Sequence, residues 1–464
     1  MVQRMLYVML GSIVILMILG FALLYASVSG LRGEIEGHSR ALEELRVRFE
    51  GQREALRDVE ELKSRLDRIE KSLGNVASAE ELKSIAREVG ELSAMIGILE
   101  SRIKGSNETL TAFIANVSAS ISEISRRVNE LSERLLFPAV IVDGAGDRVV
   151  ILSRPSKVVS LAPSATETLY FMGALNLIVG VDDFSDFPRV VKEGRDRGEI
   201  ASIGGFWTPS VEKIVGLKPD LVVGVASVPS HRALKAQLSA YGIPVLLLPN
   251  SRASDVVESL LIAGRALGRL PEAYRIAYQV ELAFKYAALL STKLESKVSV
   301  SAVVWVKPLF VVGGGTWQHD ILEYAGLINV YGDMKLWPSV SPETLLERVP
   351  EAIIMTTGHG MVSREDLVNQ LVGVLGDSAY KIPALRDGRI YGLSGAYEDA
   401  FNRPSPRTII ALYVLLVVFH PQLFDLKPGD IPYDVSPETL DVAVILRDKV
   451  PGQILELIEL GLRG

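Results

Sequence analysis

Cysteine is absent from this 464-residue sequence, which excludes disulfides, thiolate metal sites, cysteine nucleophiles and a lipid-modified N-terminal cysteine. Histidine is scarce: five residues, widely scattered, leave no His-rich metal cluster. Positive charge is not in excess either. The formal net charge is −7, and no basic segment is concentrated enough to track a phosphate backbone. From Leu42 to Leu135 proline is almost missing and aromatics are few. What remains is a globular composition on a chain long enough for two or three domains.

The first positive feature is the uncharged run "MLYVMLGSIVILMILGFALLYASV", Met5 to Val28, behind Arg4. About 20 apolar residues span a bilayer as a helix, so the run reads as a membrane anchor. A cleaved signal peptide, with "SVSG" as its cleavage site, is the competing reading. Sequons at Asn107 ("NET") and Asn116 ("NVS") matter only outside the cytoplasm, which puts the N-terminus inside and the rest outside.

Leu82, Ile85, Val89, Leu92, Ile96, Leu99 and Ile103 recur at alternating steps of three and four. Val117, Ile121, Ile124, Val128, Leu131 and Leu135 continue in the same register. Such a seam predicts a coiled-coil stalk that self-associates; a single solvated helix is the plainer alternative. Asn107 falls on the seam, where a sugar would block packing, so Asn116 is the better acceptor. Pro138 ends the stalk, and "AVIVDGAGDRVVIL" reads as two short strands around a turn.

Beyond it the pattern alternates strands with helices, and it does so twice. "TPSVEKIVGLKPDLVV" (Thr208 to Val223) and "SPETLLERVPEAIIM" (Ser341 to Met355) align at an offset of 131, placing Glu212 on Glu343, Pro219 on Pro350 and Asp220 on Glu351. "KVVSLAPSATETLYFMGALNLIVGV" and "LFVVGGGTWQHDILEYAGLINVYG" align at an offset of 153, placing Glu167 on Asp320, Gly173 on Gly326 and Asn176 on Asn329. A long helical pattern, notched at Leu270-Pro271, lies between the copies. The predicted fold class is therefore α/β: two Rossmann-like lobes joined by a long helix, preceded by a transmembrane helix and an α-helical stalk. The boundaries read as anchor 1–30, stalk 31–136, N-terminal lobe 137–250, linker helix 251–296, C-terminal lobe 297–426 and extension 427–464. Ligands bind in clefts between such lobes.

Five phrases in order, "VVSLAPSATETLYFMG", "VGVDDFSDFP", "VEKIVGLKPDLVV", "WPSVSPETLLERVPEAIIM" and "FNRPSPR", carry a specific resemblance. From about Val140 to Leu426 the chain resembles the substrate-binding proteins of ABC importers for cobalamin and ferric siderophores, nearest the cobalamin type. The resemblance implies that Glu212 and Glu343 dock on arginines of a permease dimer; the plainer reading is that each acid complements its helix dipole, worth about 0.3–1 kcal/mol. A third "VSPETL", Val435 to Leu440, lies beyond the matching region.

The same resemblance implies ligand contacts from Phe184, Trp207, Phe310, Trp337, Asp399 and Arg403, with ordinary packing the alternative for each aromatic. Phe184 stands where the cobalamin type has tyrosine, and the loop after Val225 lacks that type's tryptophan, so cobalamin, haem and a ferric siderophore all stay open as ligand. "VVGGGTWQ" lacks the Lys-Ser/Thr ending of a phosphate loop. His231, His319 and His359 have no partner at ligand spacing. No catalytic constellation, cofactor or metal site is expected. The implied function is a single-pass receptor, N-terminus cytoplasmic and binding domain extracellular or periplasmic, that delivers its ligand to the permease without chemistry. A ligand sensor using the same lobes without a transporter is the alternative, separable by whether the neighbouring genes encode a permease and ATPase.

Overall fold

The computed structural model describes residues 61–62, 64–73, 76, 78–103, 108–358 and 360–463. The expected anchor, Asn107 and His359 lie outside the described residues. Among the described residues no helix is long and apolar enough to cross a membrane. Residues 69–464 form one compact unit, separate from 1–68.

The duplication is built into the sheets. The first half holds β3 (Val158–Ser160), β4 (Ile178–Val181), β5 (Ala201–Ser202), β8 (Leu221–Val225) and β9 (Val245–Leu248), after a hairpin of β1 (Ala139–Val142) and β2 (Arg148–Ile151). A two-residue ladder, β6 (Gly204–Gly205) with β7 (Thr208–Pro209), lies between β5 and β8. The five main strands are parallel, in the order β5-β4-β3-β8-β9. In the second half β10 (Val298–Trp305) takes the central place of β3. β11 (Phe310–Val311) and β12 (Leu327–Asn329) pair with β10, and β13 (Ala352–Thr356), β14 (Ile390–Leu393) and β15 (Asp434–Val435) extend outward beyond it. Every residue of β3, β8, β9, β13 and β14 is buried, as parallel strands covered on both faces require.

The repeat reaches individual hydrogen bonds. Asp220 Oδ2 accepts from the Ser156 backbone N–H and hydroxyl at 2.8 and 2.7 Å. Its counterpart Glu351 accepts from the Ser299 N–H and hydroxyl at 2.7 and 2.9 Å.

The N-terminal helices are where the sequence expectation needs correction. Helices α1 (Ala79–Ile103) and α2 (Glu108–Leu135) pack on each other and on the helix that connects the two halves. The seam residues Leu82, Val89 and Leu92, like Ile124 and Val128, are buried within this one chain, so no second copy is needed to cover them. A heptad seam specifies an apolar stripe but not who covers it. Asn116 is exposed on α2.

Helices α3 (Pro163–Phe171), α4 (Val211–Leu217) and α5 (Pro229–Ser239) belong to the first half. The expected linker rod is two helices, α6 (Asp255–Leu267) and α7 (Leu270–Ser291). Gly268 at φ +64° closes α6 as a left-handed cap, a conformation only glycine adopts cheaply. The two helices then fold against each other so closely that a Cβ on Gly264 would meet Ala273 Cβ at 2.3 Å. Only α7 is the long connector.

The second half adds α8 (Trp317–Tyr324), α9 (Pro342–Arg348), α10 (Gly395–Asn402) and α11 (Thr408–Phe419), the last buried at every residue. Residues 427–464 are no appendage. They supply β15 to the second sheet, and α12 (Gly452–Arg463) packs on α1 and α7.

α1, α2, α7 and α12 thus form a helical layer. Asn129 Nδ2 donates to Glu272 Oε1 at 2.8 Å, and Gln453 Nε2 to the Ala94 carbonyl at 3.2 Å. At the closest crossing a Cβ on Gly90 would lie 2.8 Å from the backbone N of Arg275, the backbone O of Pro271 and Cβ of Tyr274. Gly90→Leu is therefore expected to lift α1 off α7 at a cost of about 1–3 kcal/mol. Hydrogen exchange would show the loss as selective deprotection of α1 and α7; unchanged protection there would contradict this packing.

Candidate functional site

Ligands of open parallel sheets bind at the carboxyl ends of the strands, where loops rather than paired backbone present side chains. In the first half those ends carry residues 182–187 after β4, the Phe206-Trp207 tip between β6 and β7, and residues 226–230 after β8. In the second half they carry Thr357 and Gly358 after β13 and the start of α10 after β14.

The 182–187 loop is held by a polar chain. Thr166 Oγ1 donates to Ser160 Oγ at 2.8 Å and lies 2.9 Å from Ser185 Oγ. Ser185 in turn donates to Asp182 Oδ1 at 2.5 Å, and Asp182 Oδ2 accepts from the Phe184 N–H at 3.0 Å. Arg195 Nη1 clamps the loop from outside through the carbonyls of Asp182, Asp183 and Ser185. Burial pushes the Asp182 carboxyl above its usual range, with the Ser185 hydroxyl, the Phe184 N–H and two arginines opposing. The loop so fixed leaves Phe184 59% exposed.

Beside it stands the aromatic tip. Phe206 and Trp207 meet edge to face at 4.7 Å between ring centres, and Trp207 is 64% exposed. A wholly buried His231 sits beneath, its ring 5.3 Å from that of Phe206. Burial holds the His231 imidazole down at about 4, outweighing its hydrogen bond to the Phe206 carbonyl, so the ring is neutral near pH 7.

Across from this loop, Arg403 and Asp399 do not wait in the open. Arg403 Nη2 lies 2.9 Å from Asp399 Oδ1, while Nη1 reaches across to the first half, 2.6 Å from Asp186 Oδ1 and 3.1 Å from Glu167 Oε1. Arg407 Nη1 reaches the same Glu167 oxygen at 2.9 Å, and Ser405 donates to the other at 2.5 Å. Burial works against the charge of Arg403, but Glu167, Asp399 and Asp186 outweigh it and raise its pKa. Burial pushes Asp399 upward, against the pull of Arg403 and Arg407. Arg407 also lies 4.0 Å over the Phe187 ring and donates to the Gly461 carbonyl at 3.0 Å.

Glu167 and Asp320 are counterparts in the repeat, and Asp320 does the same in reverse. It sits on α8 of the second half and accepts from Arg252 of the first at 2.8 Å and from the Ala253 N–H at 2.9 Å. Each half therefore presents one acid, on its first helix, to an arginine of the other. Sequence reasoning matched the two acids but took them only as markers of the repeat; the signal for their role was an acid at the matching repeat position of the first helix of each half.

The remaining expected residues are placed less openly. Trp337 is half buried, edge to face on Trp317 at 5.2 Å, with Nε1 donating to Gln318 Oε1 at 3.3 Å. Phe310 is half buried and pairs with Trp305 and Ser339. Glu398, missed from sequence, orders the loop after β13 by accepting from Thr357 Oγ1 at 3.0 Å and from the Gly358 N–H at 2.7 Å. His319 contacts Asn329 at 3.2 Å and Glu323 at 3.6 Å. Among the described residues no group of three or more His, Asp or Glu could hold a metal ion. Glu212 and Glu343 are exposed in the first turns of α4 and α9, each behind a serine N-cap position, Ser210 and Ser341. Both helices end in a left-handed residue, Lys218 and Val349, again 131 positions apart. The third copy is a turn after β15, with Ser436 Oγ accepting from the Glu438 and Thr439 N–H groups.

Breaking a buried ion pair by removing one partner costs about 3–5 kcal/mol, because the other charge stays buried. Glu167→Ala is expected to lose that much in denaturant unfolding, since Arg403 and Arg407 are left behind. Asp320→Ala is expected to lose clearly less, since Arg252 is more than half exposed. The reverse order would contradict the assignment.

Comparison with known proteins bears on what these loops serve. Residues 158–397 match the family described as periplasmic binding protein. A vitamin B12-binding protein of Vibrio parahaemolyticus is 26% identical over 259 residues, 55% of this chain and 86% of that protein. An uncharacterized ABC transporter substrate-binding lipoprotein of Bacillus subtilis is 27% identical over 294 residues, 62% of this chain and 88% of its own. A periplasmic solute binding protein of Veillonella parvula superposes with a TM-score of 0.50 at 17% identity, covering 70% of this chain and 98% of that one, a likeness of fold alone.

Proposed function

The chain belongs to the periplasmic binding protein family, and we propose that it is the extracytoplasmic receptor of an ABC importer for a corrinoid or an iron chelate. The family is one of binding proteins, not enzymes. The observation that carries the reading is the exposed acid pair: Glu212 and Glu343 begin equivalent helices, one in each half, each after a serine at the N-cap position and each helix closed by a left-handed residue. A duplicated receptor meeting a two-fold permease needs equal charges on both halves, and such charges set docking register and encounter rate more than affinity.

The ligand lies between the strand ends, with Phe184 and Trp207 as exposed rigid rings from the first half; aromatics suit a large, flat, partly apolar ligand at small entropic cost. Asp399 and Arg403 border that place, and Phe310 and Trp337 support the opposite wall. The relatives' ligands agree in kind: one is named for vitamin B12. Around Arg403 and Arg407 stand Glu167, Asp182, Asp186 and Asp399, so negative charge is in surplus and a highly anionic catecholate complex is disfavoured.

A membrane anchor at Met5 to Val28 would tether the receptor, since this sequence offers no cysteine for the lipid that a lipoprotein carries. Asn116, exposed on α2, is the sequon placed to accept a sugar.

Calorimetric titration of the full chain in detergent with cobalamin, cobinamide, haem and ferric hydroxamates is expected to show saturable binding of one of these classes. Heat from none of them would remove the ligand assignment. The full chain is needed because α1 and α2 are part of the packed unit. In a second experiment, Glu212→Lys with Glu343→Lys is expected to abolish uptake into cells while leaving ligand affinity essentially unchanged, since neither acid is among the proposed ligand contacts. A fall in affinity with transport per bound ligand intact would overturn the docking role.

A further inference from the structure

In the sequence His231 has no partner at ligand spacing and no better case than His319 or His359. The structure places it where the core of the first half meets the exposed aromatic tip. Its Nδ1 lies 3.2 Å from the backbone N of Val225, at the end of β8. That N–H can only donate, so Nδ1 carries no proton, and the proton sits on Nε2. Nε2 is 2.9 Å from the carbonyl oxygen of Phe206, the residue before Trp207, and donates to it. The two nitrogens thus rivet a buried interior strand to the tip of a two-residue ladder, adding to the packing of Phe206 on the core and the bond from the Asp183 N–H to the Gly204 carbonyl at 3.0 Å. The fit is close. A Cβ on Gly224 would come within 3.1 Å of His231 Nδ1, so the strand keeps a glycine where the ring lies against it. Arg232, the next residue, ties α5 to the same loop by donating to the Ala226 carbonyl at 2.6 Å.

We propose that His231 is a positioning residue for ligand capture: it fixes the Phe206-Trp207 tip so that the Trp207 ring is presented as a rigid face to a flat ligand. This rests on the reading of Trp207 as a ligand contact. A tryptophan that is 64% exposed has few neighbours of its own to hold it, and ordering such a ring at the moment of binding lowers affinity. The bond from Nε2 to Phe206 supplies that order beforehand. Ring size matters as much as polarity, because one side chain must reach both partners at once.

Two substitutions separate positioning from simple core support. His231→Asn keeps an acceptor where Nδ1 was, satisfying Val225, but is too short for Phe206. His231→Gln keeps a donor where Nε2 was, reaching Phe206, but gives up the Val225 contact. Each is made in the full chain, with and without Trp207→Phe, so that the Trp207 signal is obtained by difference. Time-resolved fluorescence anisotropy then reports the mobility of that ring, and cyanocobalamin and haemin serve as binding probes.

His231→Asn is expected to free the Trp207 ring and weaken the better probe about tenfold, the scale of one buried hydrogen bond lost. His231→Gln is expected to hold Trp207 near its original anisotropy and to keep affinity within about threefold. If Asn behaves like the original and Gln does not, His231 supports only the core and the proposal fails. If the unaltered protein binds neither probe, the ligand reading of Trp207 loses its support. The anisotropy comparison still decides whether His231 fixes the tip.

Discussion

One carboxylate is shared between the two halves of this protein. Glu167 leaves α3 fully buried and meets Arg403, Arg407 and Ser405, all from the far side of the connector. A buried ion pair adds little net stability, because taking charges from water costs nearly what their attraction returns. What it adds is geometry: Arg403 bonds acids of both halves at once, Glu167 and Asp186 from one and Asp399 from the other, so the halves meet in one register. Through Asp186 and Asp399 the same network reaches the loops at the strand ends, and through Arg407 it reaches the C-terminal helix at Gly461. The strand-end loops, the interface and the helical layer are thus parts of a single connected structure.

Asp320 with Arg252 is the second brace, on the other member of the repeat. A duplicated unit inherits the same helix twice, so an acid that suits one half is available to the other. Alongside these braces the connector is encased. α7 lies under α1, α2 and α12, with Gly90 at the closest approach. The family match spans residues 158–397, so this casing lies outside it, as do Arg403 and Arg407. A connector packed along its length bends less than a bare helix.

Several features could be read directly from the chain. Continuous apolar runs such as "LVV" and "AIIM", each ahead of a helix pattern, became buried parallel strands. The 131-residue repeat survived down to its serine caps and its left-handed C-caps. Short-range chemistry determines such features, so spacing alone exposes them. The heptad seam was legible as a stripe, yet the chain itself covers it. Periodicity records which side of a helix is dry and is silent about the partner. The notch at Leu270-Pro271 was visible, but the fold-back of α6 on α7 depended on Gly264 lying against Ala273, a contact between two helices.

The sequence by itself determined two alternating α/β halves, their matched acids, the absence of thiol chemistry, and an apolar N-terminal run. Local propensity, side-chain period and composition suffice for these, since each depends on residues close along the chain. Only the tertiary structure decided that Arg403 braces the halves, that Glu167 and Asp320 answer each other, and that His231 lies under the Trp207 tip. In each case the partners are 25 or more residues apart, and burial and charge act through space on whatever the fold brings within hydrogen-bond reach.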